Sequence, residues 1–316
     1  MVQKQHHLTI ATRGSQLAVW QAEHIRARLL ERHGNGIQVD LLLIKTTGDR
    51  ILDVPLAAVG GKGLFVKEIE EALLDGRADM AVHSMKDVPM FLPDGLCIGA
   101  IPEREDASDV FLSTRFENFK ALPPGARIGT SSLRRQAQLL AQRQDLEIIS
   151  LRGNVDTRLR KLETQDFDAI ILANAALKRL NLTAPFREVI GPPDFLPAVG
   201  QGALGLEFRE DRDDVRALLD FLDHTPSRLC VNAERAFLAT LEGNCQVPVA
   251  AHAIFINPQT IQIEGLIAAV NGSRVIRGQK QTNPEEAEVA GRELAKNLLD
   301  QGGHDILQSL TRQQGA

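Results

Sequence analysis

Residues 10–22, IATRGSQLAVWQA, and residues 128–140, IGTSSLRRQAQLL, follow one pattern: a short β-type run, a hydroxyl-rich turn, then apolar residues at helical spacing. What comes after each copy matches in order as well. After the first helix, residues 37–44 are almost continuously apolar, which predicts a strand in a sheet covered on both faces. Lys45-Thr46-Thr47-Gly48-Asp49 closes it, and residues 54–63 read as a flexible loop around Gly60-Gly61-Lys62-Gly63. Residues 64–74 set Phe65, Ile69, Ala72 and Leu73 opposite Lys67, Glu70 and Glu71, an amphipathic helix. A strand at 80–83 then runs into Ser84-Met85-Lys86-Asp87-Val88-Pro89. In the second copy a strand at 146–151 ends at Arg152-Gly153-Asn154, and a helix carries Arg158 and Leu162. A strand at 167–173 follows, with Asn174 opening a helical pattern to Leu180, so FDAIILANAA (167–176) answers ADMAVHSMKD (78–87). Two α/β lobes of related design are expected.

Alternating strands and helices predict mainly parallel sheets. Such sheets bind ligands at the carboxyl ends of their strands, where helix N-termini also point. Arg13, Ser15, Ser84, Lys86, Asp87, Thr130, Ser132, Arg134, Arg135 and Arg152 all fall at that edge. Each alone reads as a cap or a surface charge; gathered at equivalent turns, they mark a site for a small polyanion. Asp87 is the carboxylate at the centre of this positive edge, and a helix N-cap is the other reading for it.

Pro192-Pro193, Pro197, Gly200 and Gly202 form a crossing segment, after which the apolar stretch 203–208 is expected to return to the first lobe. From Thr225 the pattern changes. In TPSRLCVNAERAFLATLEGNCQVPV (225–249), Thr225 reads as an N-cap before Pro226, and Leu229, Ala233, Ala236, Phe237, Thr240 and Leu241 recur on one helical face. Gly243-Asn244 terminates the helix and Pro248 keeps it from resuming, which leaves the Cys245 thiol on a loop beyond a rigid helix. Cys97 and Cys230 sit in apolar settings that suit small buried hydrophobes; Cys245 is equally open to that reading and to an exposed, reactive one. Strands at 249–256 and 260–270, a hairpin turn at Asn271-Gly272 and a helix at 284–299 complete a smaller α+β domain. The expected domains are 1–102 with 203–221, 103–202, and 222–316.

The 316 residues suffice for two or three cored domains, and 43% hydrophobic with 24% charged residues is ordinary for a globular protein. A net charge of −5 disfavours a general nucleic-acid binder. Three cysteines, with no pairing pattern, point to a reducing compartment. The start, MVQKQHHLTI, has no apolar signal region, and no apolar run approaches the ~18 residues of a membrane span. A monomeric cytoplasmic protein is expected.

The chain closely resembles the porphobilinogen deaminase (hydroxymethylbilane synthase) family. The resemblance is carried by IATRGSQLA, GGKGLFVKEIE, AVHSMKDVP, GTSSLRRQAQL, LRGNVDTRL, LPAVGQGALGLE and ERAFLATLEGNCQVPV, in the expected order from Ile10 to Val249. Asn244 stands where this family more often has Gly or Ser before the cysteine; Asn tolerates the same left-handed backbone, so altered loop stiffness is expected, not lost function. The resemblance implies two lobes like those of periplasmic binding proteins, with a third domain. It also implies a covalent dipyrromethane cofactor, joined by a thioether to Cys245, onto which four porphobilinogens are condensed with loss of ammonia. The linear tetrapyrrole is then hydrolysed off, and no metal is required.

Porphobilinogen carries an acetate and a propionate, so a chain of several rings is a dense polycarboxylate. Arginine forks and helix N-termini suit such a ligand, which assigns Arg13, Arg134, Arg135, Arg152 and Arg158, with Ser15, Thr130 and Ser132, to its carboxylates. Ser84, Lys86, Gly153, Asn154 and Gln201 belong to the same matched stretches and to the same expected site. Lys62 is expected to cover it, excluding water while the azafulvene exists. Arg179, near a helix end, is open to the same role or to pairing with terminal carbonyls. Asp87 is expected to accept pyrrole N–H bonds, stabilise cationic intermediates and relay protons. Without the resemblance, a two-lobed anion-binding module also explains the duplicated pattern and the arginines, but gives Cys245 and the third domain no task; a nucleic-acid binder has only the arginines in its favour.

Overall fold

The computed structural model describes residues 6–50, 66–164, 166–241 and 247–314. Along the chain come β1 (His6–Arg13), α1 (Gln16–His33), β2 (Ile37–Ile44), α2 (Thr47–Arg50), α3 (Lys67–Leu74), β3 (Met80–Ser84), β4 (Leu96–Ala100) and β5 (Asp109–Ser113). They are followed by β6 (Arg127–Gly129), α4 (Leu133–Gln142), β7 (Glu147–Ile149), α5 (Val155–Thr164), β8 (Ala169–Ala173), α6 (Asn174–Leu180) and β9 (Phe186–Ile190). The remainder is β10 (Leu204–Arg209), α7 (Asp213–Leu219), α8 (Thr225–Thr240), β11 (Val249–Asn257), β12 (Thr260–Ala268), β13 (Val275–Thr282), α9 (Ala287–Leu298) and α10 (His304–Gln314). The chain divides into two compact units, Met1–Arg104 with Ala203–Arg228, and Glu105–Gly202 with Leu229–Ala316.

The first unit holds a five-stranded sheet of order β2-β1-β3-β10-β4. Strand β1 runs parallel to β2 and β3, whereas β10 is antiparallel to both neighbours. On one face Ile10, Val82, Leu206 and Phe208 pack with Ala22, Ile25 and Leu29 of α1 and Val215 and Leu219 of α7. On the other, Ala11, Ala81 and Leu96 pack with Ile69, Ala72 and Leu73 of α3. Both faces of the sheet are covered, as the apolar run of β2 suggested, although β2 itself is the sheet edge: Ile37 and Val39 are buried, Gln38 and Asp40 are exposed, and Leu43 is 60% exposed. Helix α3 begins at Lys67, and Phe65 of the amphipathic reading lies outside the described residues.

The second unit contains a sheet of order β7-β6-β8-β5-β9, parallel throughout except for the reversed β5. Its order and directions repeat those of the first sheet, so the duplicated sequence pattern corresponds to a duplicated topology. Each reversed strand follows a crossing of the chain, β5 on the way out and β10 on the return. The same unit holds the antiparallel meander β11-β12-β13. Gly272, at φ +70° in the predicted hairpin turn, lies so close to α4 that a Cβ would come within 2.3 Å of the Ala141 nitrogen. Phe237 of α8 is fully buried, packed where a Cβ on Gly265 of β12 would meet its ring.

Candidate functional site

In the first unit the turn after β1 carries Arg13 as its last strand residue and Ser15 as the N-cap of α1, whose side-chain oxygen accepts from the Ala18 N–H at 3.3 Å. That cap satisfies one of the free amides of the first turn, and its loss to Ala costs about 1 kcal/mol. The end of β3 lies two strands from β2, in the same sheet. There Ser84 accepts from the buried Gln21 side chain of α1 at 2.9 Å. A 3-10 turn, Met85–Asp87, follows, with Lys86 half-buried and Asp87 exposed. The N-cap reading of Asp87 does not hold: it is the last residue of that turn, and Ser84 occupies the cap position. Among the described residues the Asp87 carboxylate makes no hydrogen bond or ion pair, so its acceptors face solvent.

In the second unit the equivalent turn after β6 carries Thr130, whose hydroxyl oxygen accepts from Ser132 N at 3.2 Å, and Ser132, the N-cap of α4. After β7, Arg152 is half-buried, and Gly153 adopts φ +111°, where an added Cβ would fall 2.7 Å from Thr157. Asn154 is exposed at the start of α5, and Arg158 donates back from Nε to the Gly153 carbonyl at 2.8 Å. Arg179 donates to the Gly202 carbonyl at 2.7 Å. Burial pushes its pKa down to about 10.

Arg134 and Arg135 differ from the expectation of open carboxylate forks. Both are buried, and both reach Asp109, the fully buried first residue of β5: Arg134 Nη2 lies 2.8 Å from Oδ2, and Arg135 Nη2 lies 2.7 Å from Oδ1. Arg134 also donates to the Leu196 carbonyl at 2.6 Å, and Arg135 to the Ile171 carbonyl at 2.9 Å. Gln201, also buried, donates to Asp109 at 2.9 Å and to the Ala107 carbonyl at 2.6 Å. Burial raises the Asp109 pKa, but the two guanidiniums outweigh it and hold the carboxyl at about 2. Burial lowers the pKa of Arg134. The physical reason is local: the second and third helical positions after the Ser132 cap point under the sheet edge, where only a counter-charge makes arginine tolerable. One donor is left over, since Arg134 Nε is buried without an acceptor. A carboxylate is one chemistry that would satisfy this N–H.

The helix whose sequence leads to Cys245 is capped one residue before the predicted cap. Arg228 N bonds to the His224 carbonyl, so His224 is the N-cap and Thr225 is already helical. Cys230 is buried as expected, while Cys97 is half-buried, with Arg216 Nη2 3.7 Å from its sulfur and burial raising its pKa. Lys62, Gly243-Asn244 and Cys245 lie outside the described residues. Sequence reasoning passed over two things. It did not see Asp109, whose signal was a lone Asp opening an apolar strand. Nor did it see a buried cluster of Glu70, His83 and Glu207 in the first unit. Among the described residues no three His, Cys, Asp or Glu side chains gather to hold a metal ion, and no helix is long and apolar enough to cross a membrane.

Residues 8–217 match the family model described as porphobilinogen deaminase, dipyromethane cofactor binding domain, and residues 228–300 match porphobilinogen deaminase, C-terminal domain. A protein named porphobilinogen deaminase from Nitratidesulfovibrio vulgaris (strain DP4) is 64% identical over 301 residues, covering 95% of this chain and 96% of its own. Its namesake from Lawsonia intracellularis is 57% identical over 303 residues, covering 96% and 98%. Among solved structures, the probable amino-acid ABC transporter extracellular-binding protein ytmK from Bacillus subtilis aligns over 69% of this chain and 90% of its own, at 13% identity and a TM-score of 0.43. The reduced form of the regulatory domain of OxyR2 from Vibrio vulnificus aligns over 70% and 98%, at 13% identity and a TM-score of 0.40. Likenesses at that level carry no argument; the fold rests on the strand order above.

Proposed function

The chain belongs to the porphobilinogen deaminase family, and from that premise we propose which of its residues perform the family's reaction. The protein is a transferase of tetrapyrrole assembly that joins porphobilinogen units head to tail into hydroxymethylbilane, with release of ammonia, on a dipyrromethane cofactor. When bound, that cofactor supplies the pyrrole carbon onto which the first substrate is joined. Cys245 holds it through a thioether, because a thiolate is the strongest nucleophile in its stretch of sequence.

Binding falls to the two strand-end edges. In the first unit Arg13, Lys86 and the first turn of α1 receive carboxylates; in the second, Arg152, Arg158 and the Ser132-capped N-terminus of α4 do so. Thr130, Gly153, Asn154 and Gln201 shape these loops, Arg179 fixes the crossing segment through Gly202, and Lys62 closes over the substrate. Arg134 and Arg135 act from below: paired with Asp109, they keep a net positive charge under the α4 N-terminus, and Arg134 Nε offers the remaining donor. Asp87 is the catalytic carboxylate. It is exposed, it makes no hydrogen bond among the described residues, and it follows a strand whose neighbour ends in Arg13, so its acceptors are available to pyrrole N–H groups. It stabilises the cation left when the substrate loses ammonia and takes up the proton released on coupling. That free carboxylate at an otherwise basic strand end is the observation that carries the assignment.

A net charge of −5 supports a protein that leaves nucleic acid alone, and we place it in the cytoplasm as a monomer. Intact-protein mass spectrometry tests the attachment. The purified chain is expected to carry the added mass of two condensed pyrroles, and Cys245→Ser to carry none. An adduct retained by Cys245→Ser, or found on a peptide holding Cys97 or Cys230, would overturn it.

A further inference from the structure

Residues 191–202 cross the second unit without helix or strand, yet from Phe195 to Gly202 all but Ala198 are buried. A buried backbone that joins no helix and no strand must find its hydrogen-bond partners among side chains. Two helices supply them. Gln138 of α4 takes both polar groups of Leu196: its Oε1 accepts from the Leu196 N–H at 2.7 Å, and its Nε2 donates to the Leu196 carbonyl at 3.0 Å. Glu234 of α8 is fully buried. One of its oxygens accepts from the Gly200 N–H at 2.7 Å, the other from the Ala253 N–H of the edge strand β11 at 2.9 Å. A carboxylate accepts with both oxygens and donates nothing, which is what two amides from separate elements require; a glutamine there would turn an NH2 toward one of them.

The same segment touches the buried charges of the α4 edge. Arg134 Nη1 donates to the Leu196 carbonyl at 2.6 Å, so one carbonyl oxygen serves both Gln138 and Arg134. Gln201, next to Gly200, donates to Asp109, which pairs with Arg134 and Arg135. Gly202 leaves little room for slippage: at φ +88°, an added Cβ would lie 2.2 Å from the Glu105 carbonyl oxygen. The Leu196 side chain is fully buried among Ala137 of α4, Ala250 of β11, and Leu266 and Ala268 of β12. Counted from the serine caps, Gln21 of α1 is the equivalent of Gln138, and it donates instead to the Ser84 hydroxyl. The grip on Leu196 is therefore particular to the second unit, not a demand of the repeated helix.

We propose that Glu234 and Gln138 are positioning residues: together they set residues 195–202, and through that segment the orientation of Arg134 against Asp109 on which carboxylate holding depends. The proposal rests on the reading of the α4 edge as a carboxylate site. Glu234 acts through the Gly200 amide and Gln138 through the Leu196 peptide. Helix α8 precedes the cofactor cysteine in the sequence, so Glu234 also fastens that helix to the segment that orients Arg134. Asp87 belongs to the other unit, so a shifted segment weakens holding and spares the chemistry: KM rises and kcat stays. A merely structural loss does the reverse, since it removes active molecules, lowers kcat and leaves KM unchanged.

Five proteins are compared, each loaded with preformed tetrapyrrole product and checked by mass: the parent, Glu234→Gln, Gln138→Met, Arg134→Lys and Leu294→Ala. Leu294 is a core residue packed by Gly265 and Gly278, and its truncation is expected to lower the urea midpoint and leave KM alone. Glu234→Gln and Gln138→Met are expected to raise KM for porphobilinogen about tenfold, the loss of roughly one hydrogen bond to a charged group, with kcat within about twofold of the parent. Backbone hydrogen exchange gives a readout without turnover. In Glu234→Gln the Leu196 amide, whose own acceptor is Gln138, is expected to exchange at least about tenfold faster. A KM unmoved in Glu234→Gln but raised in Arg134→Lys refutes the positioning role and spares the carboxylate reading. A KM unmoved in Arg134→Lys as well refutes that reading and the proposal with it. A fall in kcat alone, or Leu196 exchange at the parent rate, makes Glu234 merely structural and overturns the proposal. Should Glu234→Gln fail to fold, Gln138→Met is judged on the same terms, with the Gly200 amide as the exchange probe.

Discussion

Replacing Arg135 with leucine tests whether the buried arginines serve the fold as well as the ligand. Arg135 gives Asp109 two bonds, at 3.2 Å from Nε and 2.7 Å from Nη2, and gives the Ile171 carbonyl a third at 2.9 Å. The Asp109 side chain has no solvent exposure, so water cannot replace those donors. Its drop from 3.8 to about 2 corresponds to about 2 kcal/mol net in favour of the charged form, after burial has acted against it. Deleting one partner of a buried pair costs roughly 3–5 kcal/mol. Arg134 and Gln201 remain at 2.8 and 2.9 Å, which places this case at the lower end, about 3 kcal/mol. An arginine serving only a bound carboxylate from the surface would change the fold by no more than about 0.5 kcal/mol. The assay is urea denaturation of parent, Arg135→Leu, Asp109→Leu and the double variant. Arg135→Leu is expected to lose about 3 kcal/mol, and the double variant to recover at least about 1 kcal/mol relative to additivity, because it removes the stranded charge. Parent-like stability of Arg135→Leu with cofactor loading abolished would refute this reasoning and return Arg135 to the ligand alone.

Two further outcomes are expected. At the acid end, Asp109 contributes stability that is fully present above about pH 4 and is lost as pH falls towards 2, so an acid-unfolding midpoint in that range should move upward in Arg135→Leu; an unmoved midpoint would mean that other carboxylates set acid stability. For Asp87, variants are loaded with preformed tetrapyrrole product and checked by mass before rates are compared. Asp87→Glu should then keep a small residue of activity, with a 1 Å misplacement costing on the order of 100-fold, and Asp87→Asn almost none; near-parent turnover by loaded Asp87→Asn would remove Asp87 from the chemistry.

The lobes were legible because strand–turn–helix patterns are local. Ser15 and Ser132 sit where hydroxyl-rich turns meet helical spacing, and both cap the helices that follow. The apolar run of β2 told of a sheet covered on both faces but not that β2 is its edge, because edge or centre is decided by which strand pairs with it. Strands β5 and β9 went unseen for a related reason. Neither belongs to the repeated local unit, and Asp109 at the head of β5 reads as a loop residue until two arginines are found against it. The cluster of Glu70, His83 and Glu207 was hidden by distance in the chain: its members stand on three elements, and only the β3–β10 register brings the last two together. His83 also lay inside a matched stretch without any role of its own.

The difference between the two lobes has a functional logic. Counting from their serine caps, Leu17 and Ala18 of α1 correspond to Arg134 and Arg135 of α4, while Gln21 and Gln138 correspond and are both buried. Leu204, opening β10, corresponds to Asp109, opening β5. One topology thus carries buried charge in two different layers. In the second unit it lies on the α4 side, directly beneath a helix N-terminus, where a fixed cationic excess favours carboxylates without moving. In the first unit it lies on the α3 side, as the hydrogen-bonded pair His83–Glu207 and the buried Glu70, whose pKa burial raises to about 7. A lobe that holds a growing polycarboxylate gains from charge that cannot be neutralised, and arginine supplies that. The repeated fold supplies the two edges, and the buried ions beneath them differ: a cationic excess under α4, a histidine–carboxylate pair under α3.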